Sequence, residues 1–157
     1  MRPIPLILMI TLLATALMPI RASAQTGGTG LGFVLGEPTG LTARFMRGGN
    51  NFQVHAAWSF SDDAALQLNG DYLRSGQIDM EPMMPFYFGI GVLVKFADES
   101  KMGIRFPVGL NYFFKGDPFE VFGELVPTLR IIPDTGFDFG GGVGIRYYFS
   151  AMRAEGQ

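Results

Sequence analysis

Hydrophobic and polar residues alternate with a period of two along most of the chain between Leu31 and Phe149. This period predicts β-strands and not helices. Three segments keep the alternation in phase from end to end, at 51–60, 85–96 and 103–114. Weaker alternation predicts further strands near 28–36, 40–47, 64–73, 119–131 and 136–149. The pattern therefore predicts eight strands in succession.

Short segments rich in Gly, Pro, Asp and Asn separate the predicted strands, and such segments predict tight turns. The first connection is Glu37-Pro38-Thr39-Gly40 and the last is Pro133-Asp134-Thr135-Gly136. In both we expect proline to set the bend and the final glycine to supply a positive φ. The longest predicted connection is Arg74–Met84, which is rich in Met and Pro.

Eight strands joined by short connections form an antiparallel up-and-down meander, and closure into a barrel removes its exposed edges. Closure would bring the first strand beside the eighth. We therefore expect the turns that contain Glu37 and Asp134 to be neighbours on one rim of the barrel.

The alternation alone leaves open which face points outward. A soluble lipocalin-like barrel would turn its apolar face inward around a ligand, whereas a membrane barrel would turn it toward lipid. Glycines share the polar face with long charged side chains, as Gly89 and Gly91 do, and we expect them to make room for arginines in a filled lumen. Aromatic residues such as Trp58 and Tyr147 lie on the apolar face near strand ends, where membrane girdles form. Both features predict a transmembrane barrel.

The charges of the polar face are few and of both signs, as a filled lumen with paired charges requires. The predicted lumen network consists of Arg44, Asp71, Lys95, Arg105, Glu120, Glu124, Arg130, Asp138 and Arg146.

The N-terminus has the pattern of a secretory signal peptide. A positive start at Met1-Arg2-Pro3 precedes an apolar run from Leu6 to Met18, and Ala22-Ser23-Ala24 is a small-residue cleavage signal before Gln25. The predicted organisation of the 157-residue chain is a cleaved signal peptide at 1–24 and one barrel domain at 25–157.

Composition excludes several other classes of protein. The chain has no cysteine, which excludes disulfides, thiolate metal sites and a cysteine nucleophile. Loss of Arg2 and Arg21 with the signal peptide leaves ten basic and fourteen acidic residues, a net charge of about −4. No basic tract is present, so nucleic acid is not an expected partner.

Two motifs suggest catalysis, but a structural interpretation is preferred for each. Asp134-Thr135-Gly136 matches the aspartic-protease triplet, but that chemistry needs two such carboxylates and the chain has one copy. His55, the one histidine, shares a strand face with Ser59, but four residues along a strand separate them by about 13 Å. We interpret the first as a turn and the second as polar packing.

The remaining candidates lie in predicted connections. The acids Asp62, Asp63, Asp98, Glu99 and Asp134 are interpreted as hairpin residues, with cation binding at the rim left open. The cluster of Met80, Met83 and Met84 is expected to cap the barrel mouth. No cofactor or metal site is predicted.

Several segments resemble known barrel proteins. The final strand, Gly142-Val-Gly-Ile-Arg-Tyr-Tyr-Phe149, together with the signal peptide and the alternating strands, is similar to small eight-stranded outer-membrane proteins of the OmpA/OmpX type. Leu35–Leu41, Pro107–Tyr112 and Thr135–Gly141 are also similar to a poorly characterised family of small bacterial barrel proteins. The resemblance implies an architecture more than an activity.

We therefore expect an all-β, eight-stranded antiparallel transmembrane β-barrel of the bacterial outer membrane, with a salt-bridged lumen and a structural or interaction role without catalysis. Its expected partners are outer-membrane lipid, the export and barrel-assembly machinery, and an unidentified extracellular or periplasmic molecule. A soluble periplasmic lipocalin-like barrel that binds an apolar ligand is the alternative. An outer-membrane enzyme that depends on His55 is a further rival.

Overall fold

The computed structural model describes residues 28–37, 39–47, 50–59, 65–78 and 84–149. The predicted signal peptide, with Gln25, and the segment 150–157 lie outside the described residues, as do Pro38 and the connections at 48–49, 60–64 and 79–83. The described residues form β1 (Gly28–Glu37), β2 (Gly40–Arg47), β3 (Asn50–Ser59), β4 (Ala65–Ile78), β5 (Met84–Phe96), β6 (Lys101–Arg105), β7 (Val108–Phe113), β8 (Phe119–Ile132) and β9 (Gly136–Tyr148). None of these residues is helical, so the described part contains no apolar helix of membrane-spanning length.

The nine strands form one antiparallel sheet whose hydrogen bonds run in a ring. Neighbours in sequence pair as hairpins from β1 to β5, and β8 pairs with β9. β1 also pairs with β9, where Gly30 faces Tyr148 and Gly36 faces Gly142. Every strand therefore has a partner on both edges, as the alternation and the short connections predicted.

The segment predicted as one strand at 103–114 is divided into β6 and β7 at Phe106-Pro107. Pro107 has no N–H group to donate to a ladder. Both halves still pair with β5 on one side and with β8 on the other. The Phe106 N–H donates to the Pro127 carbonyl (2.8 Å), and the Gly89 N–H donates to the Pro107 carbonyl (3.0 Å). β6 and β7 thus share one place in the ring, which accounts for nine strands where eight were predicted.

The β4–β5 connection is shorter than the sequence suggested. β4 continues through Ser75 to Ile78, and Ile78 pairs with Met84 at the start of β5. The prediction of a long Arg74–Met84 connection was therefore wrong for residues 74–78. Gly76 and Gln77 interrupt the alternation of apolar and polar residues, but these residues still pair with β5. Only 79–83 is left between the strands, outside the described residues.

The first turn uses a different glycine from the one predicted. The positive-φ glycines of the described residues are Gly36 (149°) and Gly116 (87°), and neither Gly40 nor Gly136 is among them. The Thr39 hydroxyl accepts a hydrogen bond from the Gly36 N–H (3.1 Å) and donates one to the Gly36 carbonyl (2.9 Å). A side-chain hydroxyl therefore closes this turn.

The first and last turns lie at the same end of the ring but not side by side. Glu37 faces Gly141 on β9, and β9 begins five residues earlier, at Gly136. Five residues of strand are about 17 Å, so the β8–β9 hairpin extends well beyond the β1–β2 turn. The expectation that Glu37 and Asp134 are neighbours was wrong, because the two hairpins are staggered.

The inner face of the sheet carries buried charged residues, and the outer face carries exposed apolar residues. On the inner face Arg44, Glu120 and Arg146 are fully buried (0 % exposed). On the outer face Phe33 is 62 % and Leu125 is 63 % exposed. The polar face of the alternation is thus enclosed by the ring, and the apolar face surrounds it.

Candidate functional site

The inner face carries a connected set of charged side chains contributed by most strands of the ring. Six of the nine residues predicted for the network are buried in it: Arg44, Asp71, Arg105, Glu120, Glu124 and Arg146. They comprise three guanidinium groups and three carboxylates, so the buried charges can balance within the ring.

One half of the network is centred on Glu120. Its Oε1 lies 2.7 Å from Arg44 Nη1, and its Oε2 lies 3.1 Å from Arg146 Nη1. Asn111 Nδ2 donates to Oε1 (2.9 Å) and the Tyr148 hydroxyl donates to Oε2 (2.6 Å). Four donors from three strands, β2, β7 and β9, therefore meet one carboxylate, which compensates its removal from water.

The other half of the network is centred on Glu124 and Asp71. Arg105 Nε lies 2.8 Å from Asp71 Oδ1, and Arg105 Nη2 lies 3.8 Å from Glu124 Oε1. The Tyr87 hydroxyl donates to Glu124 Oε2 (2.9 Å). His55 Nε2 stands 3.5 Å from Glu124 and 3.9 Å from Asp71.

Gln53 joins the two halves. Its Oε1 accepts from Arg146 (2.6 Å), and its Nε2 donates to Glu124 (3.1 Å) and lies 2.6 Å from His55 Nε2. Sequence reasoning about charges missed this residue. Its inward position in the alternation was the sequence signal for this role. In the structure Gln53 lies between Arg44 and Asp71 in the strand register.

Some glycines of the inner face make room for aromatic rings, whereas Gly136 makes room directly for the Arg130 guanidinium, as was predicted for the arginines, and others admit the backbone of a neighbouring strand. A Cβ at Gly109 would collide with the Tyr87 ring, and a Cβ at Gly30 would collide with the Tyr148 ring. The Tyr87 ring in turn lies under Arg44, whose Cζ is 4.2 Å from the ring centroid. Nε and Nη2 of Arg44 have no hydrogen-bond partner among the described residues, and the ring face provides a cation–π contact there.

The same order of glycine, ring and arginine occurs between β8 and β9. A Cβ at Gly144 would collide with the Phe122 ring, and Arg146 Cζ lies 3.6 Å from the centroid of that ring. At Gly109 and Gly144 the glycine therefore supports an arginine through an aromatic ring between them.

The other three predicted network residues lie near the open end where the β1–β2 and β8–β9 turns are. Arg130 Nη1 contacts both Asp138 oxygens (3.0 and 3.1 Å), and its Nη2 lies 3.5 Å from Asp134. Asp138 is 50 % and Asp134 is 72 % exposed at the side chain, so these are rim contacts. Lys95 is half-buried on the inner face of β5. Glu37, the other predicted rim residue, is exposed.

An open cavity of about 540 Å³ occupies the same end of the ring, and we call it the vestibule. Its polar lining includes Gln67, Lys95, Lys101, Arg105, Thr128 and Arg130. Arg105 belongs both to the vestibule and to the buried network, so the network forms the inner limit of the cavity. Glu37 and Asp138 reach the vestibule, whereas Asp134 is not part of its lining.

The catalytic candidates have structural surroundings. His55 is 4 % exposed between Gln53 and Glu124, and the structure describes only the backbone of Ser59. Within the described ranges no group of His, Asp and Glu is arranged to hold a metal ion. Of the predicted rim acids and Met cluster, Asp98 and Glu99 are exposed, Met84 is described by its backbone in β5, and Asp62, Asp63, Met80 and Met83 lie outside the described residues.

The outer face is apolar from rim to rim. Within the described strands its charged residues are Glu37, Arg47 and Arg74, all toward one rim or the other. Aromatic contacts follow one another around the end that holds Gly28 and Tyr148, at Phe52–Tyr72, Phe86–Phe88, Tyr112–Phe114, Phe119–Tyr147 and Tyr147–Phe149. The Tyr72 hydroxyl donates to Asn50 (2.8 Å) at this rim.

Comparison of the chain with protein-family models, with curated proteins and with solved structures finds no significant match to any of them.

Proposed function

We propose that this protein is an integral β-barrel of the bacterial outer membrane with a filled, salt-bridged interior, and that it has a structural or interaction role without catalysis. The main support for the proposal is that charged side chains lie inside the ring and apolar side chains lie outside it. Thirty large apolar side chains of the described residues are exposed, whereas monomeric soluble proteins rarely expose contiguous apolar patches above a few hundred Å². A bilayer would cover this surface.

The dimensions of the strands support a spanning arrangement. β9 has 13 residues, a length of about 40 Å. Strands tilted by about 35–45° need about 31–35 Å to cross an apolar band about 25 Å tall, so β9 is long enough to span it. Because strands pair around a ring, the backbone N–H and C=O groups are satisfied without water, which the hydrocarbon region demands.

The rims support the same proposal. On the outer face, aromatic rings follow one end of the ring and the charged residues Glu37, Arg47 and Arg74 lie only toward the rims, which is typical of a membrane barrel. Lipid would then be the principal partner of the outer face. A signal peptide at 1–24 would bring the chain to the export machinery, and the barrel-assembly machinery would insert it.

The contents of the ring favour a structural or interaction role over transport. Paired charges and aromatic rings such as Tyr87 and Phe122 fill the middle of the ring, whereas diffusion porins enclose water within about 16–18 strands. His55 is held inside the ionic network, which disfavours a hydrolytic role. The lipocalin-like alternative is disfavoured because an apolar ligand would need an apolar interior.

Cell fractionation with electrophoresis tests the proposal. The protein should occur in the outer-membrane fraction and should migrate differently with and without boiling, because a detergent-resistant barrel remains folded in the unboiled sample. Recovery in the soluble periplasmic fraction, with a mobility unaffected by heating, would sink the proposal. Lys115→Gln, at an exposed position in the β7–β8 connection, is the control and should leave the fraction and the heat shift unchanged.

A further inference from the structure

We propose that the vestibule binds a phosphate dianion, either free or as a phosphate monoester, between Lys95 and Lys101. The proposal goes beyond the structural role of the barrel. Two like charges oppose each other at this place, because Lys95 on β5 faces Lys101 on β6 directly in the strand register.

Directly opposed residues in an antiparallel pair have Cβ atoms about 4.5–5.5 Å apart, and like charges in this position destabilise the pair. Both lysines are half-buried on the inner face and line the vestibule. In the part of the chain that the structure describes, neither forms an ion pair. The nearby acids Asp98 and Glu99 are exposed and form no ion pair with either lysine.

The other cations of the vestibule are already engaged. Arg105 is paired with Asp71 and Arg130 is paired with Asp138. Among the described residues the two lysines therefore leave a local excess of positive charge at one point of the wall. The remaining acid of the lining, Glu37, lies on β1, which does not pair with β5 or β6. A phosphate monoester near neutral pH carries a charge of about −1.5 to −2 and three strong acceptor oxygens, which matches this excess.

The surroundings of the lysines provide space and further donors. Gly103 follows Lys101 on the inner face of β6 and lines the cavity with its backbone alone, because a Cβ there would lie against the Leu129 carbonyl and the Thr128 side chain. Gln67 faces Lys95 in register and Thr128 faces Arg105 in register, and both line the vestibule. The cavity of about 540 Å³ has the size of a small-molecule site.

The use of lysine in this protein supports a specific role for the pair. The whole chain has three lysines, Lys95, Lys101 and Lys115, and two of them oppose each other. Lys115 is exposed in the β7–β8 connection, at the opposite end of the ring. It provides a matched control for loss of one positive charge.

The test is a titration of the folded, detergent-solubilised full chain with inorganic phosphate, followed by NMR shifts of isotope-labelled amides. Saturable shifts are expected at Lys95, Lys101 and Gly103. The double variant K95Q/K101Q should bind phosphate at least about tenfold more weakly, a factor that corresponds to about 1.4 kcal/mol. K115Q should bind like the parent protein, and K95R/K101R should retain binding.

Stability without phosphate gives an independent readout. Removal of one charge from an unneutralised pair relieves repulsion, so K95Q should leave the melting temperature unchanged or raise it. Phosphate should raise the melting temperature of the parent protein and not that of K95Q/K101Q. Absence of saturable binding, binding that K95Q/K101Q does not weaken, or destabilisation by K95Q in phosphate-free buffer would each overturn the proposal.

The source of the phosphate is decided by two further titrations. Glycerol 3-phosphate represents a soluble monoester, and a short-chain phosphatidic acid below its micelle concentration represents a lipid headgroup. Comparable affinity for both supports a soluble ligand, and preference for the lipid supports a headgroup at the rim. Lysine-independent binding of both contradicts the site.

Discussion

Glu120 and Val121 are neighbours in β8 and have opposite surroundings. Glu120 is fully buried with two guanidinium groups, whereas Val121 is 40 % exposed on the outer face. The same contrast recurs along the other long strands. Inside the ring a charge is stable because its partners surround it, and outside the ring the apolar residues are stable only if something apolar covers them. Removing a charge from the buried network and adding one to the outer face should therefore both be harmful.

The largest effect is expected from Glu120→Gln. This substitution leaves Arg44 and Arg146 without their shared carboxylate, and loss of one partner from a buried ion pair costs about 3–5 kcal/mol. Urea unfolding in lipid vesicles, followed by Trp58 fluorescence, measures the change. Asp138→Asn is the matched control, because its partner Arg130 lies at the rim and exposed pairs contribute about 0–1 kcal/mol. Equal effects of the two variants would contradict the distinction between network and rim.

A charge on the outer face is expected to have the next largest effect. Val92 is 59 % exposed on β5, so Val92→Arg should cost about 2–4 kcal/mol if the residue lies near the bilayer midplane. Thr29→Arg, on the outer face at the start of β1, should cost about 0–1 kcal/mol because it lies near an interface. Unfolding in vesicles measures both. Equal tolerance of both arginines would count against a bilayer around the ring.

Glycine-to-alanine substitutions test the inner and the outer face separately, because each adds a single methyl group. Gly109→Ala places a Cβ against the Tyr87 ring, and such overpacking costs about 1–3 kcal/mol. Gly70→Ala meets nothing within 4 Å on the outer face. It should be neutral or stabilising by about 0.4–1 kcal/mol, because alanine restricts the unfolded chain. If Gly70→Ala were more destabilising than Gly109→Ala, the close contact between Gly109 and the Tyr87 ring would be contradicted.

The smallest effect is expected at the rim. Thr39→Val removes the hydroxyl that bonds both the N–H and the carbonyl of Gly36, at a cost of about 1 kcal/mol. Thr39→Ser retains the hydroxyl and should preserve most of the stability. If valine and serine unfold at the same urea concentration, the hydroxyl does not hold this turn.

Strand positions could be predicted from the sequence because the period of two persists wherever one face of the sheet differs from the other. β2 occupies the residues predicted for it, and β8 differs by one residue at its end. The continuation of β4 past Arg74 could not be predicted, because it depends on pairing with β5. The break at Pro107 did have a sequence signal, since proline has no N–H group to donate to a ladder.

The charged members of the network could be predicted from inward alternation, but their partners could not. Which carboxylate meets which guanidinium depends on the register around the ring, and that register brings residues as distant as Arg44 and Glu120 together. Lys95 and Arg130 share the predicted face but lie too near the open end to join the network. The positive φ of the first turn was predicted at the wrong glycine. Both Gly36 and Gly40 could have adopted it, and the hydrogen bonds of the Thr39 hydroxyl favour Gly36.

The single tryptophan of the chain provides the most direct test of the central claim, that the apolar face meets lipid. Trp58 is 44 % exposed on the outer face of β3, near the end of the ring that carries the β1–β2 turn. In vesicles that contain lipids brominated on the acyl chain near the headgroup, its fluorescence should be strongly quenched, and aqueous iodide should quench it weakly. Strong quenching by iodide with no effect of brominated lipid would show that this face meets water and would contradict the account.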